Sequence, residues 1–566
     1  MFIKTCKSIK NGKTYFHYQI VSSYRENGKI KHKLIANLGT PSEQDINSLI
    51  KGLNRLKKEP LPLEQAQLLC RKIVSFGEFA VLDHIWQKMD ISTIIHNSAL
   101  ALPQLQFDIA PYIKLMVFQR LIDPGSELHL AENFKDMYFP ELDILEYHKL
   151  LRSLGYVIRI KDGIEKQLFE KQKDIFHLDV DVVFYDITST YFEADGPAIA
   201  KKGYSRDKRS DCNQVLIALA ITKEGYPIGH EVLEGNLLDK STVKQAIDKL
   251  KNRFSIDTCI FVGDRGMVST ENIHYIEKQG YRYIFAIKRR RIYETEEILE
   301  PDLNKYSELI EYDVDGNEKR LKYLEVTKEG KRYFICHNEE RAKSDLIKLE
   351  KKIGKINKQI EDITKGNHSA DALVKRFSRI YNLSRFYKYG LNNKNEFYYE
   401  FKEEAFAYEK LIAGKYVIKT NEQMLSGIEI IRVYKNLSRI ESSFRDMKDF
   451  IEIRPIYHKK EENVRGHIFI AVLAYMMEKV LESYFSSEGK NRITARRILG
   501  HLARVKLVIN EVNDYTFGTL TESTEEVKEI LKKTGLKKFQ DIYYLQKKEV
   551  KLPELTRKKL AKYAIL

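Results

Sequence analysis

The chain has 566 residues, too many for one hydrophobic core, so three or four domains are expected. Its 43% hydrophobic and 31% charged residues suit a globular chain, and 96 Lys+Arg against 80 Asp+Glu favour a polyanionic partner, nucleic acid before an anionic membrane. The five cysteines (Cys6, Cys70, Cys212, Cys259, Cys336) are scattered without C-x-x-C spacing, which argues against a disulfide framework and a structural zinc site. In chain order, Asn11-Gly12 and Asn27-Gly28 each separate strand-like runs, and Asn-Gly supplies both positive-φ residues of a type I′ turn, so two hairpins form a small basic sheet. Polar residues 41–60 lead into a helical stretch from about 64 to 172, broken near Pro103, Pro111 and Asp123-Pro124-Gly125. From 180 the texture is strand-like: "VDVVFYDITSTYF", then two strands through Lys223-Glu224-Gly225, then helices near 240–252 and 270–279 alternating with "TCIFVGDRGMVS" and "YRYIFAIK". That order predicts a mixed sheet with helices on its faces. Residues 290–420 interrupt it with charged, Tyr-rich sequence in which Leu346, Leu349, Ile353, Ile356, Ile360 and Ile363 form a short a/d seam expected to dock on its own domain. Helices are expected over 428–447, 463–485 and 493–508, and residues 527–566 carry 12 Lys/Arg against 4 Asp/Glu. The longest apolar stretch, "IFIAVLAYMM", is too short to span a bilayer, and the N-terminus lacks a signal-peptide core, so no membrane partner is expected.

Two acids do not fit their surroundings. Asp186 ends the apolar run "VVFYD" and Asp264 ends "CIFVGD", and a carboxylate at the end of a buried strand is costly unless paired, hydrogen-bonded or metal-bound. Either alone could cap a helix. Two strands lying side by side would put both at one sheet edge, an arrangement suited to phosphoryl transfer with divalent metal. A third acid could come from a packed helix. Glu441 in "YKNLSRIESSFRDMK" is the candidate, with Arg445 and Lys448 on the same helical face, although a solvated ion pair is the plainer reading of that spacing. Other acids nearby (Asp181, Glu193, Asp195, Asp207, Asp211, Glu234, Asp239) read as solvated charge, and His230, His458 and His467 as isolated packed or hydrogen-bonded histidines.

The set "FYDITSTYFE", "GYSRDKRSDCNQV", "EGNLLD", "FVGDRGMVS", "KYVIKTNEQ", "YKNLSRIESSFRDMK" and "RPIYHKKEENVRGHIFIAVLAY", in this order, resembles the DDE transposases of bacterial insertion sequences, in the branch with a Tyr-Arg-Glu-Lys signature around the third acid. The resemblance implies a ribonuclease-H-like α/β core interrupted by a large insertion, with Asp186, Asp264 and Glu441 as catalytic metal ligands for two Mg²⁺ (Mn²⁺ as substitute). It also implies cut-and-paste chemistry: cleavage of element ends, then strand transfer of 3′-hydroxyl ends into target DNA. Tyr434 and Lys448 match the first and last signature positions and are expected on DNA phosphates, together with Arg445, Arg206, Arg209 and Arg265. Leu437 stands where the signature has arginine, and the one tryptophan, Trp86, lies far from the insertion. Implied partners are the terminal inverted repeats and target DNA, with a homodimer assembled on DNA in a bacterial cytoplasm. Expected boundaries are a β-hairpin domain at 1–60, a helical DNA-binding domain at 61–175, the core at 176–290 and 421–485, the insertion at 291–420, and a basic helical region at 486–566. Two alternatives stay open: a nuclease on the same fold that cuts without joining, and a catalytically inactive DNA-binding relative.

Overall fold

The computed structural model describes residues 2–10, 13–26, 29–39, 68–287, 299, 302–312, 318–366, 368–485, 493–512, 515–536 and 542–547. The Asn-Gly pairs, residues 41–60 and the tail beyond 547 lie outside the described residues. The chain divides into two compact units that interleave in sequence: Met1–Leu178, Ser189–Val215 and Ser443–Leu566 form one, and Asp179–Thr188 and Leu216–Ser442 the other.

In the first unit, β1 (Phe2–Lys10), β2 (Lys13–Glu26) and β3 (Lys29–Gly39) pair antiparallel in that order. A second sheet begins with β4 (Leu68–Ser75), a strand where helix was expected; its partner (Lys506–Val512) is more than four hundred residues away, beyond the reach of any local pattern. The helices that follow pack around Glu461–Ser483, which is buried along nearly its whole length against helices Gly77–Lys88, Ala110–Ile122 and Tyr147–Arg159. Gly466 makes one crossing possible, since a Cβ there would lie 2.4 Å from the Leu154 carbonyl oxygen. No described helix is long and apolar enough to cross a membrane.

The second unit is built on a nine-stranded sheet. Its first three strands are β5 (Val182–Tyr191), β6 (Gln214–Thr222) and β7 (Pro227–Glu234), followed by β8 (Ile260–Gly263) and β9 (Arg282–Ala286). Next come β10 (Ser307–Tyr312), β11 (Glu318–Lys328) and β12 (Lys331–His337). Outside this sheet, β13 (Tyr387–Leu391) and β14 (Phe397–Phe401) pair with each other, and β15 (Lys415–Thr420) returns to it. The sheet order is β10-β11-β12-β15-β9-β8-β5-β6-β7. All nine residues of β6 are buried, as expected for a strand covered on both faces and rich in Val, Ile, Leu and Ala. Helices Val243–Asn252 and Thr270–Lys278 make the connections before and after β8, and β8 runs parallel to both β5 and β9.

The expected insertion at 291–420 is therefore divided. Strands β10, β11 and β12 extend the main sheet, and β15 lies inside it between β12 and β9. The long described excursion from the sheet is the chain between His337 and Lys415, which face each other across the β12/β15 ladder. Asn338 N donates to Gly414 O (3.0 Å) where that excursion closes. Gly414 has φ +68, and a Cβ there would lie 2.5 Å from Asn338 O, so glycine is required on both counts. Within the excursion, helix Glu339–Thr364 lays Ile356 and Ile360 of the a/d seam against Phe377, Ile380, Leu383, Phe386 and Tyr387. The seam docks on its own domain. The C-terminal region is mixed rather than helical: helices Ala495–Leu502 and Glu525–Thr534 flank β16 (Lys506–Val512) and β17 (Tyr515–Leu520), and β18 (Ile542–Lys547) completes the sheet with β4.

Candidate active site

Tyr185 of β5 and Gly263 of β8 are direct partners in a parallel ladder, and each is followed by an acid. Asp186, inside β5 rather than at its end, and Asp264, just past the end of β8, thus follow paired residues on neighbouring strands about 4.8 Å apart. β8 stops at Gly263 because the chain turns, with Met267 N donating to Asp264 O (3.0 Å). Gly263 is tightly enclosed: a Cβ would meet the Phe285 ring at 2.8 Å and Met267 Sδ at 3.1 Å. Both acids are half-buried, and Asp186 Oδ1 accepts from Ile187 N (2.7 Å).

The third acid arrives on a helix that differs from the expected one. Residues 428–447 are two helices, Gly427–Lys435 and Ser438–Asp449, separated by a turn at Asn436 and Leu437. Ser426 caps the first in a capping box with Glu429. Leu437 is buried in the turn, where its side chain packs, and Arg439 donates to Lys223 O (2.5 Å). Glu441 is exposed in the first turn of the second helix, whose N-terminal dipole favours a carboxylate. Among the described residues Asp264 and Glu441 make no ion pair or side-chain hydrogen bond, so the plain Glu441/Arg445 pair does not form.

Tyr434 joins these acids. Burial raises the pKa of its phenol, Asp264 raises it further, Arg265 opposes, and Glu441 adds to the rise. All three charged groups therefore act on this one hydroxyl, which stays a neutral hydrogen-bond donor at physiological pH. Its ring lies 5.9 Å from that of Tyr416. Asp239, read as a solvated acid, also belongs here: a Cβ on Gly266 would sit 3.0 Å from its Oδ2, and it raises the pKa of buried Tyr185 together with Asp186. The "EGNLLD" run carried that signal, but nothing local brought it beside the 264–267 turn.

The remaining predicted contacts fall in the first unit. Arg445 is exposed and makes no ion pair among the described residues. Arg209 pairs with Asp211 (3.1 Å) and lies over the Tyr191 ring at 4.8 Å. Lys448 donates to Asp207 Oδ1 (2.8 Å), and Arg454 binds the same oxygen. Asp207 is thus a buried counter-ion rather than a solvated one, and Arg206 lies close enough to depress Lys448.

His458 and His467 are likewise not isolated. Among the described residues, Glu127, His458 and His467 are the one group whose ligand atoms all lie within 4.8 Å of one another; the atoms of Asp186, Asp264 and Glu441 are not drawn to that spacing. His467 Nε2 lies 3.0 Å from Ile453 O, which leaves Nδ1 to accept from the buried Arg120 guanidinium at 3.2 Å. Arg120 is also 3.7 Å from Glu127 Oε1, so the charge facing this carboxylate is already a cation and the group is a buried ion-pair network. Burial works to raise the Glu127 pKa, but the neighbouring His458 and His467 outweigh it and hold the carboxyl well below its usual range.

A family model described as "Transposase DDE domain" matches residues 177–477, just over half of the chain. The chain belongs to that family. A second model, "IS1634 family transposase, N-terminal domain", matches residues 3–67 of this transposase. Membership makes the protein a DNA-binding enzyme that cleaves and transfers DNA strands, with divalent metal used generally in its chemistry. A solved structure, "Cryo-EM structure of piggyBac transposase synaptic complex with hairpin DNA (SNHP)", is similar at 8% identity and a TM-score of 0.37, covering 89% of this chain and 88% of that one. No curated protein matches the transposase.

The candidate acids suit a divalent metal: Asp186, Asp264 and Glu441 offer hard carboxylate oxygens, partly open to solvent, and among the described residues neither Asp264 nor Glu441 is held by a lysine or arginine.

Proposed function

We propose that this transposase cuts the ends of its insertion sequence and transfers the 3′-hydroxyl ends into target DNA, with Asp186, Asp264 and Glu441 as the catalytic triad. The observation that carries the reading is the in-register placement of Asp186 and Asp264 on parallel neighbours, and the charges of Asp264 and Glu441 both acting to raise the Tyr434 pKa support it. The sheet order β9-β8-β5-β6-β7, a three-strand run flanked by two parallel strands, supports a ribonuclease-H-like core. The "YKNLSRIESSFRDMK" run supports the Tyr-Arg-Glu-Lys branch, with Leu437 as its departure.

The three carboxylates would hold Mg²⁺ or Mn²⁺, which when bound activates an attacking oxygen and stabilises the leaving one. Tyr434, neutral and half-buried, would donate a hydrogen bond to a phosphate oxygen, and the charges of Asp264 and Glu441 that keep it protonated support this. Arg265 and Arg445, both exposed, add cationic charge for the DNA backbone. Arg206, Arg209 and Lys448 contribute from the first unit. We assign residues 1–60 and 61–175 to end recognition, and expect two copies to assemble on DNA so that both ends are cut in concert.

Asp186→Asn, Asp264→Asn and Glu441→Gln test the triad. Each should lower cleavage of a duplex carrying the repeats that flank the gene by about 10³-fold or more while leaving duplex binding within a few-fold. Near-native cleavage by any one removes that residue from the triad. Joining of a pre-cut 3′-hydroxyl end to a second duplex separates a transposase from a nuclease that only cuts.

A further inference from the structure

The loop between β5 and β6 carries Lys201, Lys202, Arg206, Lys208 and Arg209, yet its central acid points inward. Arg206 N donates to Ser189 Oγ (3.0 Å), Arg209 N donates to Ser205 Oγ (3.1 Å), and Lys208 has φ +59. This tight turn leaves the Asp207 side chain 2% exposed while the neighbouring basic residues stay at least partly open.

Asp207 is unevenly satisfied. Lys448 Nζ and an Arg454 nitrogen both approach Oδ1, while Oδ2 is buried with no hydrogen-bond partner among the described residues. Arg454 also reaches Asp449 at 3.4 Å. Lys448 and Arg454 thus converge on one buried carboxylate oxygen and form a cationic notch, with Arg206 near enough to act on Lys448. Burial, the largest effect on Lys448, lowers its pKa, and Arg454 and Arg206 lower it further against the opposing pull of Asp207. A notch whose two cations are engaged through a single carboxylate oxygen suits an anion with more acceptor oxygens. A phosphodiester offers two charged oxygens, which an arginine can bind bidentately while a lysine binds one.

We propose that Asp207 holds the place of a DNA backbone phosphate: in the DNA-free protein it occupies the Lys448/Arg454 notch, and on binding a phosphate displaces it. This rests on the transposase reading of Lys448 and assigns two further residues, Arg454 and Asp207, to DNA engagement. The notch lies at the C-terminal end of the helix that carries Glu441, seven residues or about 10 Å along the axis from that acid. Phosphate capture there would fix the helix relative to the DNA strand.

Carboxyl labelling of the full-length wild-type protein with carbodiimide and glycine ethyl ester, read by mass spectrometry, tests this directly. Asp207 should be protected without DNA and become labelled when a 30-base-pair duplex is bound. In parallel, Asp207→Asn should tighten binding of the same duplex at 50 mM NaCl by about fivefold or more, and steepen the log–log salt slope by about one to two, because two cations are freed for phosphates. Adding Lys448→Ala should remove about one unit of that gain. If Asp207 stays protected on bound DNA, or Asp207→Asn folds and binds no more tightly, Asp207 is a structural counter-ion and the proposal is overturned. If the wild-type protein binds no duplex, the transposase reading of this surface fails with it. Should Asp207→Asn not fold, the labelling arm decides alone.

Discussion

Gly263→Ala probes how rigidly the sheet edge holds Asp264. The new Cβ would lie 2.8 Å from the Phe285 ring and 3.1 Å from Met267 Sδ. Ordinary carbon contacts need about 3.5–4.0 Å, so the ring or the strand must move by roughly 0.7 Å or more. Phe285 cannot yield easily: it is fully buried, stacked on Tyr283 at 5.5 Å and edge-on to Phe261 at 6.1 Å. Overpacking of this kind costs about 1–3 kcal/mol. The part with fewest constraints is the end of β8, whose next residue is Asp264, and a shift near 1 Å at a reacting group costs about 10²-fold in rate. The assay is divalent-metal-dependent cleavage of a repeat-end duplex, with amide hydrogen exchange over β8 and β9 reporting the strain. Phe285→Leu in the same background should return much of the lost rate. Native cleavage with unchanged exchange in Gly263→Ala would refute the claim that this packing positions Asp264.

Three further outcomes follow from the same packing. His467 is held below its usual pKa by burial and by Arg120, with Glu127 and His458 also facing it; the unfolded chain takes up a proton near 6.5, so the first unit should keep full stability above that pH and lose up to about 1.4 kcal/mol per unit as pH falls below it. The urea midpoint followed by Trp86, which is buried in that unit, measures this, and His467→Gln should flatten the profile between pH 7.5 and 5.5. Phe377→Ala removes the fully buried ring at the centre of the excursion core and should cost about 3–5 kcal/mol there, seen as faster exchange over β13 and β14 with the nine-stranded sheet unaffected. Gly354→Ala, exposed in the middle of helix Glu339–Thr364 with nothing within 4 Å of the new Cβ, should stabilise that helix by about 0.5–1 kcal/mol, checked by the same exchange experiment.

Sequence patterns were informative where structure is local. β5 to β9 and their two helices were legible because "VVFYD", "NQVLIALAIT" and "CIFVGD" combine apolar runs with turn signals, and an acid ending such a run is costly enough to stand out. What the sequence hid depends on distant partners. The strand character of Leu68–Ser75 exists because Lys506–Val512 lies beside it, and β15 belongs to the main sheet because β9 and β12 flank it. Asp207 read as solvated because its neighbours are basic; its burial follows from a turn and from Lys448 and Arg454, more than two hundred residues on. The break at Asn436 and Leu437 left no glycine or proline to mark it, since apolar spacing continues through both helices.

The way β12 meets β15 also bears on how the gene can be edited. Because His337 and Lys415 are opposite one another, the excursion begins and ends at a single point on the sheet, and a two-residue Asn-Gly link between Asn338 and Gly414, the hydrogen-bonded pair that closes it, could replace what lies between them without changing the register of either strand. A cut made at 291–420 would instead remove β10, β11, β12 and β15, and leave β9 as an open edge ready to pair with other chains. The excursion is therefore a cassette: a trimmed transposase, or one carrying a foreign domain in its place, is best spliced at this hairpin tip.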